Sequence, residues 1–549
     1  MSLLVLSMLL ATPIVVVVSS VFFTAGDIWT HLLDTVLTRY ARNSLLLMAG
    51  VSVGVLALGI YPAWIVTVYR FPGSKMLEWA LLLPLAIPAY IIAYTYTGML
   101  DVAGPLQSAL REAFEWRYGD YWFPEIRSLG GAIAMLSLVF YPYVYLLARA
   151  AFAEQSGNVM ETARSLGCSQ HSAFFRVALP LARPAIVVGL SIALMETLAD
   201  YGTVQYFGIS TFTTGIYRTW NGLGSSIGAA QLSALLLGFV FVLVSLEAWS
   251  RQQAQFFNTG ARNRPSTPGT LRGLSLCLAY AVCGLPVLLG FVVPFMQLLV
   301  WASITYDTIL TRDFAGYLFN SVTLAAITAI AALGLALFIA YGKRVFPSQL
   351  TRASSRLVGL GYALPGTVVA IGVLVPFAWF DNRLSEFMVA TFDYNTGLLL
   401  SGTVFILVFA YLVRFLPIAL NTVDAGLAKI RPSMDETGRS MGFSPAALLR
   451  RVHIPIMRGS LATALLLVFV DVLKELPATL LLRPFNFNTL AIRTYELANE
   501  ERLADAAGPA LAIVLASLIP VILLSRTLRQ AGEAPSSLPQ GSSTSDESK

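Results

Sequence analysis

Apolar stretches of about 20 residues recur along the whole chain, and a stretch of that length is what an α-helix needs to cross a bilayer. Hydrophobic residues make up 56% of the 549 residues and charged residues only 12%. A soluble chain of this length needs far more charge to cover its surface. The pattern therefore predicts an all-α polytopic membrane protein, and it excludes soluble enzymes, secreted disulfide scaffolds and nucleic-acid binders.

The apolar runs predict twelve transmembrane helices in two groups of six. The first group covers roughly residues 2–23, 44–69, 77–99, 128–149, 184–206 and 227–249. The second group covers roughly residues 273–300, 320–342, 356–380, 394–414, 459–480 and 505–525. The polar, basic segment 251–272 is predicted to link a first half, residues 1–250, to a second half, residues 273–530. The tail 531–549 is rich in Ser, Pro and Gly, which predicts disorder.

Basic residues predict the orientation of the chain. With the N-terminus inside, Lys and Arg favour the cytoplasmic side by about two to one, which is the positive-inside bias. Both termini are then cytoplasmic. The first Lys or Arg of the chain is Arg39, so the N-terminal apolar run lacks the basic region of a signal peptide and favours an uncleaved first span. The net charge of +6 fits basic cytoplasmic loops better than a nucleic-acid partner.

The two halves repeat each other. A shift of 275 residues superposes METARSLGCSQHSAFFRVALPLARP (160–184) on DETGRSMGFSPAALLRRVHIPIMRG (435–459) with matching Glu, Gly and Pro positions. A shift of 277 residues places Asn43 on Asn320 and Pro88 on Pro365. Repetition of this kind predicts two parallel six-helix repeats.

The most similar segments, residues 158–180 and 433–455, are called here the first and second repeat loops. Asn158 and Ser433 each precede a Glu by three residues, which predicts a capped helix start. Each loop then has a glycine for a left-handed turn, a serine cap for a second short helix, and a proline expected to end the loop. These residues are Gly167, Ser169 and Pro180 in the first loop, and Gly442, Ser444 and Pro455 in the second. The sequence predicts two rigid helix–Gly–helix loops on the cytoplasmic side.

The repeat loops resemble the EAA loop of binding-protein-dependent ABC importer permeases. The resemblance covers nearly the whole chain and implies two permease domains fused in one chain. It implies that the loops dock in a cytoplasmic ATPase dimer, and that a periplasmic substrate-binding protein delivers the cargo. The implied docking residues are Glu161, Ala163, Gly167 and Pro180 in the first loop, and Glu436, Gly438, Gly442 and Pro455 in the second. The triads Glu161-Thr162-Ala163 and Glu436-Thr437-Gly438 depart from a literal Glu-Ala-Ala, but they keep small residues.

Two further stretches bear on the cargo. METLADYGTVQYFG (195–208) and KELPATLLLRPFNFNTLAIRTYELANEE (474–501) are similar to parts of fused ferric-iron permeases. The first stretch is also similar to fused thiamine permeases. The resemblance implies iron as the cargo, with thiamine or another small solute as the alternative.

No motif for covalent chemistry is found. GxxxxGK[ST] does not occur, so ATP hydrolysis must come from another chain. The three His are far apart in sequence, so no metal site is expected, and neither a catalytic residue nor a cofactor is predicted. The expected assembly is an inner-membrane permease in contact with lipid, an ATPase dimer and a binding protein. An ion-gradient-driven secondary transporter is the alternative of a different class, since it also uses repeated six-helix halves.

Ionisable residues inside the predicted spans mark a candidate translocation path, because burying a charge in lipid costs at least about 2.5 kcal/mol. Glu196 and Asp200 lie four residues apart in the fifth span, and so are predicted to share one helical face. The 275-residue shift places them on Asp471 and Glu475. These carboxylates, with Tyr201 and Lys474, either line a route for a cation or serve as packing, in which Lys474 simply neutralises Asp471.

Overall fold

The computed structural model describes residues 2–24, 26–154, 167, 169–252, 269–309 and 311–532, and these residues are almost entirely helical. The helices of the first half are α1 (Ser2–Ser19), α2 (Asp27–Leu32), α3 (Thr38–Val68), α4 (Ser74–Ala80), α5 (Ala89–Leu100), α6 (Pro105–Phe114), α7 (Leu129–Glu154), α8 (Gln170–Ala173), α9 (Leu179–Ala199), α10 (Gly202–Tyr206), α11 (Phe212–Asn221) and α12 (Ser226–Gln252). A two-residue strand, β1 (Tyr69–Arg70), pairs in parallel with β2 (Gly269–Thr270).

The second half resembles the first but does not repeat every element, since its first span is divided into two helices by a π-helical segment. Its helices are α13 (Leu274–Val287), α14 (Val293–Ile304), α15 (Tyr306–Ile309), α16 (Arg312–Val345), α17 (Gln349–Gly359), α18 (Gly366–Phe392), α19 (Val404–Ala428), α20 (Pro432–Ser440), α21 (Pro445–Leu448), α22 (Ile454–Leu473), α23 (Pro477–Leu482), α24 (Leu490–Asn499) and α25 (Ala507–Gly532). Short π-helical segments at Leu33–Leu37, Phe174–Ala178, Leu288–Val292 and Leu449–His453 join neighbouring helices, as do 3-10 segments at Ser20–Phe22, Leu83–Ala86 and Leu360–Ala363.

The predicted fold of two six-helix membrane repeats is confirmed. Among the described residues, ten helical segments are long and apolar enough to cross a membrane. An eleventh span is the pair Ser74–Ala86 and Ala89–Phe114, which is bent by 92°. The twelfth predicted span corresponds to the shorter apolar helix Ala507–Leu523.

Two predicted spans of the second half are misplaced by about ten residues. The ninth was predicted at 356–380, but α18 runs from Gly366 to Phe392. The tenth was predicted at 394–414, but α19 runs from Val404 to Ala428. Both predictions ended where charged residues interrupt the apolar run, whereas the helices continue through them. Buried Asp381 accepts the Ser401 amide and buried Arg414 pairs with Glu475, while Arg383 is exposed and pairs with Glu386 on the same helix.

The first helix of each half packs on the other half. Helix α1 lies against α17 and α18, and the segment from α13 to α14 lies against α3, α5 and α7. Glycines permit the close approach at both crossings: a Cβ on Gly372 would stand 2.6 Å from the Pro13 carbonyl oxygen, and one on Gly290 would stand 2.9 Å from the Pro84 ring. Each half is therefore completed by a helix of the other, which holds the two repeats together.

Candidate functional site

A central cavity of about 130 Å³ lies where the broken helices of the two halves meet. Helices α5 and α18 begin at it, immediately after Pro88 and Pro365. Helices α10 and α23 also begin at it, after breaks that follow α9 and α22. All six residues predicted for the translocation path line this cavity: Glu196, Asp200, Tyr201, Asp471, Lys474 and Glu475.

Asp200 and Glu475 each cap the short helix that follows a break. Helix α9 ends before Asp200, whose backbone is extended, so the prediction that Glu196 and Asp200 share one face of a continuous helix is wrong. The Asp200 carboxylate accepts hydrogen bonds from the Val204 amide at 3.1 Å and the Thr203 hydroxyl at 3.0 Å. The Glu475 carboxylate accepts one from the Ala478 amide at 3.1 Å. A carboxylate suits this position because a helix begins with unpaired N–H groups and a partial positive charge.

Glu196 and Asp471 also occupy equivalent positions, one turn earlier, on the last turns of α9 and α22. Lys474 Nζ lies 2.8 Å from the Asp471 carboxylate, so the pairing expected under the packing interpretation does form. The Glu196 side chain is 26% exposed. Unlike Asp200 and Glu475, the carboxylates of Glu196 and Asp471 do not cap a helix.

Sequence reasoning missed one residue of the cavity, Arg414. It lies within α19, and its side chain is only 10% exposed. Arg414 Nη1 lies 2.7 Å from Glu475 Oε2, and Nη2 lies 3.9 Å from Glu196 Oε2. The sequence prediction placed Arg414 at the cytoplasmic end of a span. The missed signal is the apolar run Phe415-Leu416-Pro417-Ile418-Ala419-Leu420 that follows it.

Gly366, the first residue of α18, lies directly against this ion pair. A Cβ at Gly366 would stand 2.5 Å from Arg414 Nη1 and 2.5 Å from Glu475 Oε1. The absence of a side chain thus lets the start of α18 approach the pair closely. Elements from both halves converge on the same guanidinium, since Glu196 is on α9.

Aromatic side chains form much of the remaining wall. Tyr201 is buried, with its ring centroid 4.9 Å from that of Tyr217 and 6.1 Å from that of Tyr495. Tyr90, Tyr143 and Tyr362 also line the cavity. Tyr206 is not among the residues that line the cavity, and its ring centroid lies 5.3 Å from the guanidinium of Arg127. The cavity therefore combines four carboxylates, two cationic side chains and tyrosines.

The second repeat loop has the predicted helix–Gly–helix form. Gly442 has φ +81°, and the amides of Gly442 and Phe443 bond to carbonyls of the last turn of α20, at 2.9 and 3.0 Å. Ser444 caps α21 by accepting the Ala447 amide at 3.3 Å. A Cβ on buried Gly438 would overlap Leu448, which explains why a small residue is needed there. Glu436 is exposed on α20.

Two details predicted for this loop are wrong. Ser433 does not cap α20, because the helix begins at Pro432 and its N-cap is Arg431. Pro455 does not end the loop either, since the chain runs on through the π-helical segment Leu449–His453 into α22. Proline is tolerated because it stands at the start of α22, where the wider π turn has already altered the hydrogen-bond pattern.

The first repeat loop agrees with the second where the structure describes it. Gly167 has φ +82°, and Ser169 Oγ accepts the Ser172 amide at 3.2 Å. Pro180 lies in the first turn of α9, after the π-helical segment Phe174–Ala178, so it does not end its loop. The positions predicted at Asn158, Glu161 and Ala163 lie outside the described residues.

A charged network anchors the second repeat loop to α16. Arg344 Nε lies 2.7 Å from Asp435 Oδ2, and His453 Nε2 lies 2.7 Å from Asp435 Oδ1. Arg344 also donates to the carbonyls of Leu427 and Ile430. Burial alone would raise the pKa of the Asp435 carboxyl, but the hydrogen bonds from Arg344 and His453 hold this pKa below its ordinary value.

Comparison with known proteins also divides the chain into two repeats. The family described as "Binding-protein-dependent transport system inner membrane component" matches the chain twice, at residues 55–251 and 332–530. The Fe(3+)-transport system permease protein FbpB 2 of Haemophilus influenzae is 28% identical over 88% of this chain and 89% of its own length. The putative ferric transport system permease protein FbpB 1 of the same organism is 25% identical over 84% of this chain and 72% of its own length.

A shorter relative matches only part of the chain. The molybdenum transport system permease protein ModB of Escherichia coli is 25% identical over 36% of this chain and 88% of its own length. One half of the chain thus corresponds to nearly a whole protein elsewhere in this group. The chain belongs to the family of inner-membrane components of binding-protein-dependent transport systems, and it carries two copies of the family's domain.

Proposed function

We propose that this chain is the membrane subunit of an ATP-driven importer that moves ferric iron delivered by a periplasmic binding protein. The observation that carries this proposal is the central cavity, in which carboxylates from equivalent positions of both halves face one small space. Carboxylate and phenol oxygens suit a hard cation such as Fe(III). The names of the two ferric relatives favour the same cargo.

The proposed division of the chain follows the repeat. Residues 1–250 and 273–530 are the two permease halves, 251–272 is a cytoplasmic linker, and 531–549 is a tail whose first two residues still belong to α25. Alternating access then consists of rocking between these halves around the central cavity.

The repeat loops are the proposed docking sites for a dimer of ATPase subunits, one loop to each subunit. The second loop presents exposed apolar side chains, with Met441 67% and Met434 45% exposed. Exposed apolar residues on a rigid polar loop are typical of a protein interface. ATP hydrolysis takes place on the partner, and this chain supplies the coupling surface.

Uptake by reconstituted vesicles tests the proposed cargo. The chain is placed in proteoliposomes with its ATPase inside and the iron-loaded binding protein outside, and radioactive iron uptake is followed with and without ATP. We expect uptake only with ATP and the binding protein. Uptake driven by an ion gradient alone would show a secondary transporter. Thiamine or molybdate, each with its own binding protein, tests the alternative cargoes in the same vesicles.

The orientation has its own test. Ser444 is exposed on the second repeat loop, and Ser225 lies at the start of α12 on the opposite side of the proposed membrane. A cysteine at Ser225 should react with an impermeant thiol reagent in spheroplasts, while a cysteine at Ser444 should react only after permeabilisation. Labelling of Ser444→Cys from outside would contradict both the cytoplasmic termini and the docking proposal.

A further inference from the structure

Arg414 has no counterpart in the first half of the chain. The 275-residue shift that superposes the repeats places Val139 at the equivalent position, and Val139 lines the same cavity. The guanidinium nevertheless contacts carboxylates of both halves, at 2.7 Å from Glu475 and 3.9 Å from Glu196. A single cation therefore stands between two carboxylates that a cationic cargo would also use.

We propose that Arg414 is a tethered counter-ion that determines the charge of the cargo: in the empty cavity its single positive charge neutralises Glu475 and partly offsets the more distant Glu196, and it thereby excludes monovalent cations. This inference rests on the proposed function, because it takes the cargo to be a cation. It goes further by assigning selectivity against sodium ions and protons to one residue.

The physical basis is a competition between charges. The attraction of a carboxylate for a cation grows in proportion to the charge on the cation. At the same distance a monovalent ion gains no more from Glu196 and Glu475 than the guanidinium already does, whereas a trivalent ion gains about three times as much. Loss of water opposes both ions, and the trivalent ion more strongly. A trivalent cargo handed over by the binding protein without its water shell can therefore displace the guanidinium.

Arginine suits this role better than lysine. A guanidinium stays protonated in proteins, so it releases no proton into the cavity and cannot itself carry protons across the membrane. Its planar fork also presents several donors, which lets Nη1 and Nη2 face different carboxylates. The stem of Arg414 is on α19 of the second half, whereas Glu196 is on α9 of the first. Motion between the halves would therefore change the distance from Arg414 to Glu196, and leave the pair with Glu475 within the second half.

Leak through the empty permease tests the inference. Proteoliposomes containing the chain alone, without ATP, iron or binding protein, are loaded with a sodium- or pH-sensitive dye. We expect Arg414→Gln to raise sodium or proton entry about tenfold over the wild-type chain, since two carboxylates lose their counter-ion. Arg414→Lys keeps the charge but loses the fork and can release a proton, so it should leak less than Arg414→Gln but admit more protons than the wild type. Arg383→Gln removes an exposed arginine that pairs only with Glu386, and should leak no more than wild type.

The double variant separates charge from packing. A glutamine in place of Glu475 can still accept the Ala478 amide, so the helix cap is kept. Arg414→Gln combined with Glu475→Gln also returns the net charge of Glu196, residue 414 and residue 475 to its wild-type value. We expect this variant to be nearly as tight as wild type. A leak equal to that of Arg414→Gln would show a packing defect and overturn the inference, as would a wild-type leak in correctly inserted Arg414→Gln. Iron uptake by the wild-type chain is a separate measurement, so a wrong cargo and a wrong role for Arg414 give different results.

Discussion

The two halves of the central cavity use the same scaffold with different charges. Each half breaks a helix at the cavity and caps the next helix with a carboxylate, Asp200 in the first half and Glu475 in the second. The second half adds Arg414 and Lys474, whereas the first half has Val139 and Ala199 at the positions related by 275 residues. The shared carboxylates therefore hold the fold, and the cations that occur in one half set the charge of the cavity.

The same contrast appears at the repeat loops. The second loop is fixed to α16 by the contact of Asp435 with Arg344, and the contact of Asp435 with His453 lies within the loop. The equivalent residues of the first half are Met160, Thr67 and Ala178, whose side chains carry no charge. The first half therefore cannot repeat this ion pair at the same positions.

Removing the charge of Glu475 should have the largest effect on the cavity. Glu475→Gln keeps the cap on α23 but leaves the guanidinium of buried Arg414 with only the distant Glu196. Breaking a buried ion pair from one side costs on the order of 3 kcal/mol. We expect lower thermal stability in detergent and greatly reduced iron uptake. Restored thermal stability in the variant that also carries Arg414→Gln would confirm that the unpaired guanidinium is the cause.

Loss of the Asp435 carboxylate should weaken the second repeat loop alone. Asp435→Asn removes the carboxylate that pairs with the Arg344 guanidinium, a hydrogen bond to a charged group worth about 1.5–3 kcal/mol before allowance for partial exposure, and it alters the contact with His453. Co-purification of the ATPase should fall, while the central cavity and its leak stay as in wild type. Glu386→Gln, which removes an exposed carboxylate on α18 that pairs with Arg383, is the control and should bind the ATPase normally.

Acid should act on the same anchor. The pKa of Asp435 is lower in the folded protein than in the unfolded chain, so its stabilisation is fully present above the ordinary Asp pKa of about 3.9. It is lost as the pH falls below that value and through the folded pKa. The protection of the α20 amides, measured as hydrogen exchange relative to the intrinsic rate at each pH, should therefore fall below about pH 4 in the wild type but show no such step in Asp435→Asn. An identical step in both proteins would assign the effect to another group.

Hydropathy and the 275-residue shift were enough to predict the membrane fold, the repeat, and the turn at Gly442. They could not show that α9 ends at Asp200, because the break is stabilised by a side-chain cap and not by a proline in the sequence. They also led to the wrong location of Arg414. A prediction from hydropathy ends a span at a charged residue between two apolar runs unless the buried partner of that residue, here Glu475, is known. The crossing of α1 onto the other half depends on packing between helices, which hydropathy does not describe.

Replacing Gly442 with Val should cost less than losing the Asp435 anchor. No atom lies within 4 Å of a Cβ built on Gly442, so the cost is that of the left-handed backbone alone, about 1–2 kcal/mol. Gly442→Asn is the matched control, because asparagine tolerates this conformation. We expect weaker ATPase binding for the valine variant, near-normal binding for the asparagine variant, and a further loss when Gly167→Val is added. Equal binding by all of them would show that the turn is not needed for docking.

The smallest effect is expected at Asp200, the counterpart of Glu475. Asp200 has no cationic partner within salt-bridge distance among the described residues, and its hydrogen bonds go to Thr203 and Val204. Asparagine caps helices about as well as aspartate, so Asp200→Asn should change stability by less than about 1 kcal/mol, whereas Asp200→Ala should cost about 1 kcal/mol or more. If Asp200 serves only as a cap, iron uptake should follow this difference in stability. A large loss of uptake in a stable Asp200→Asn protein would instead show that its charge acts on the cargo, and Asp200 would then join Glu196 and Glu475 among the functional carboxylates of the cavity.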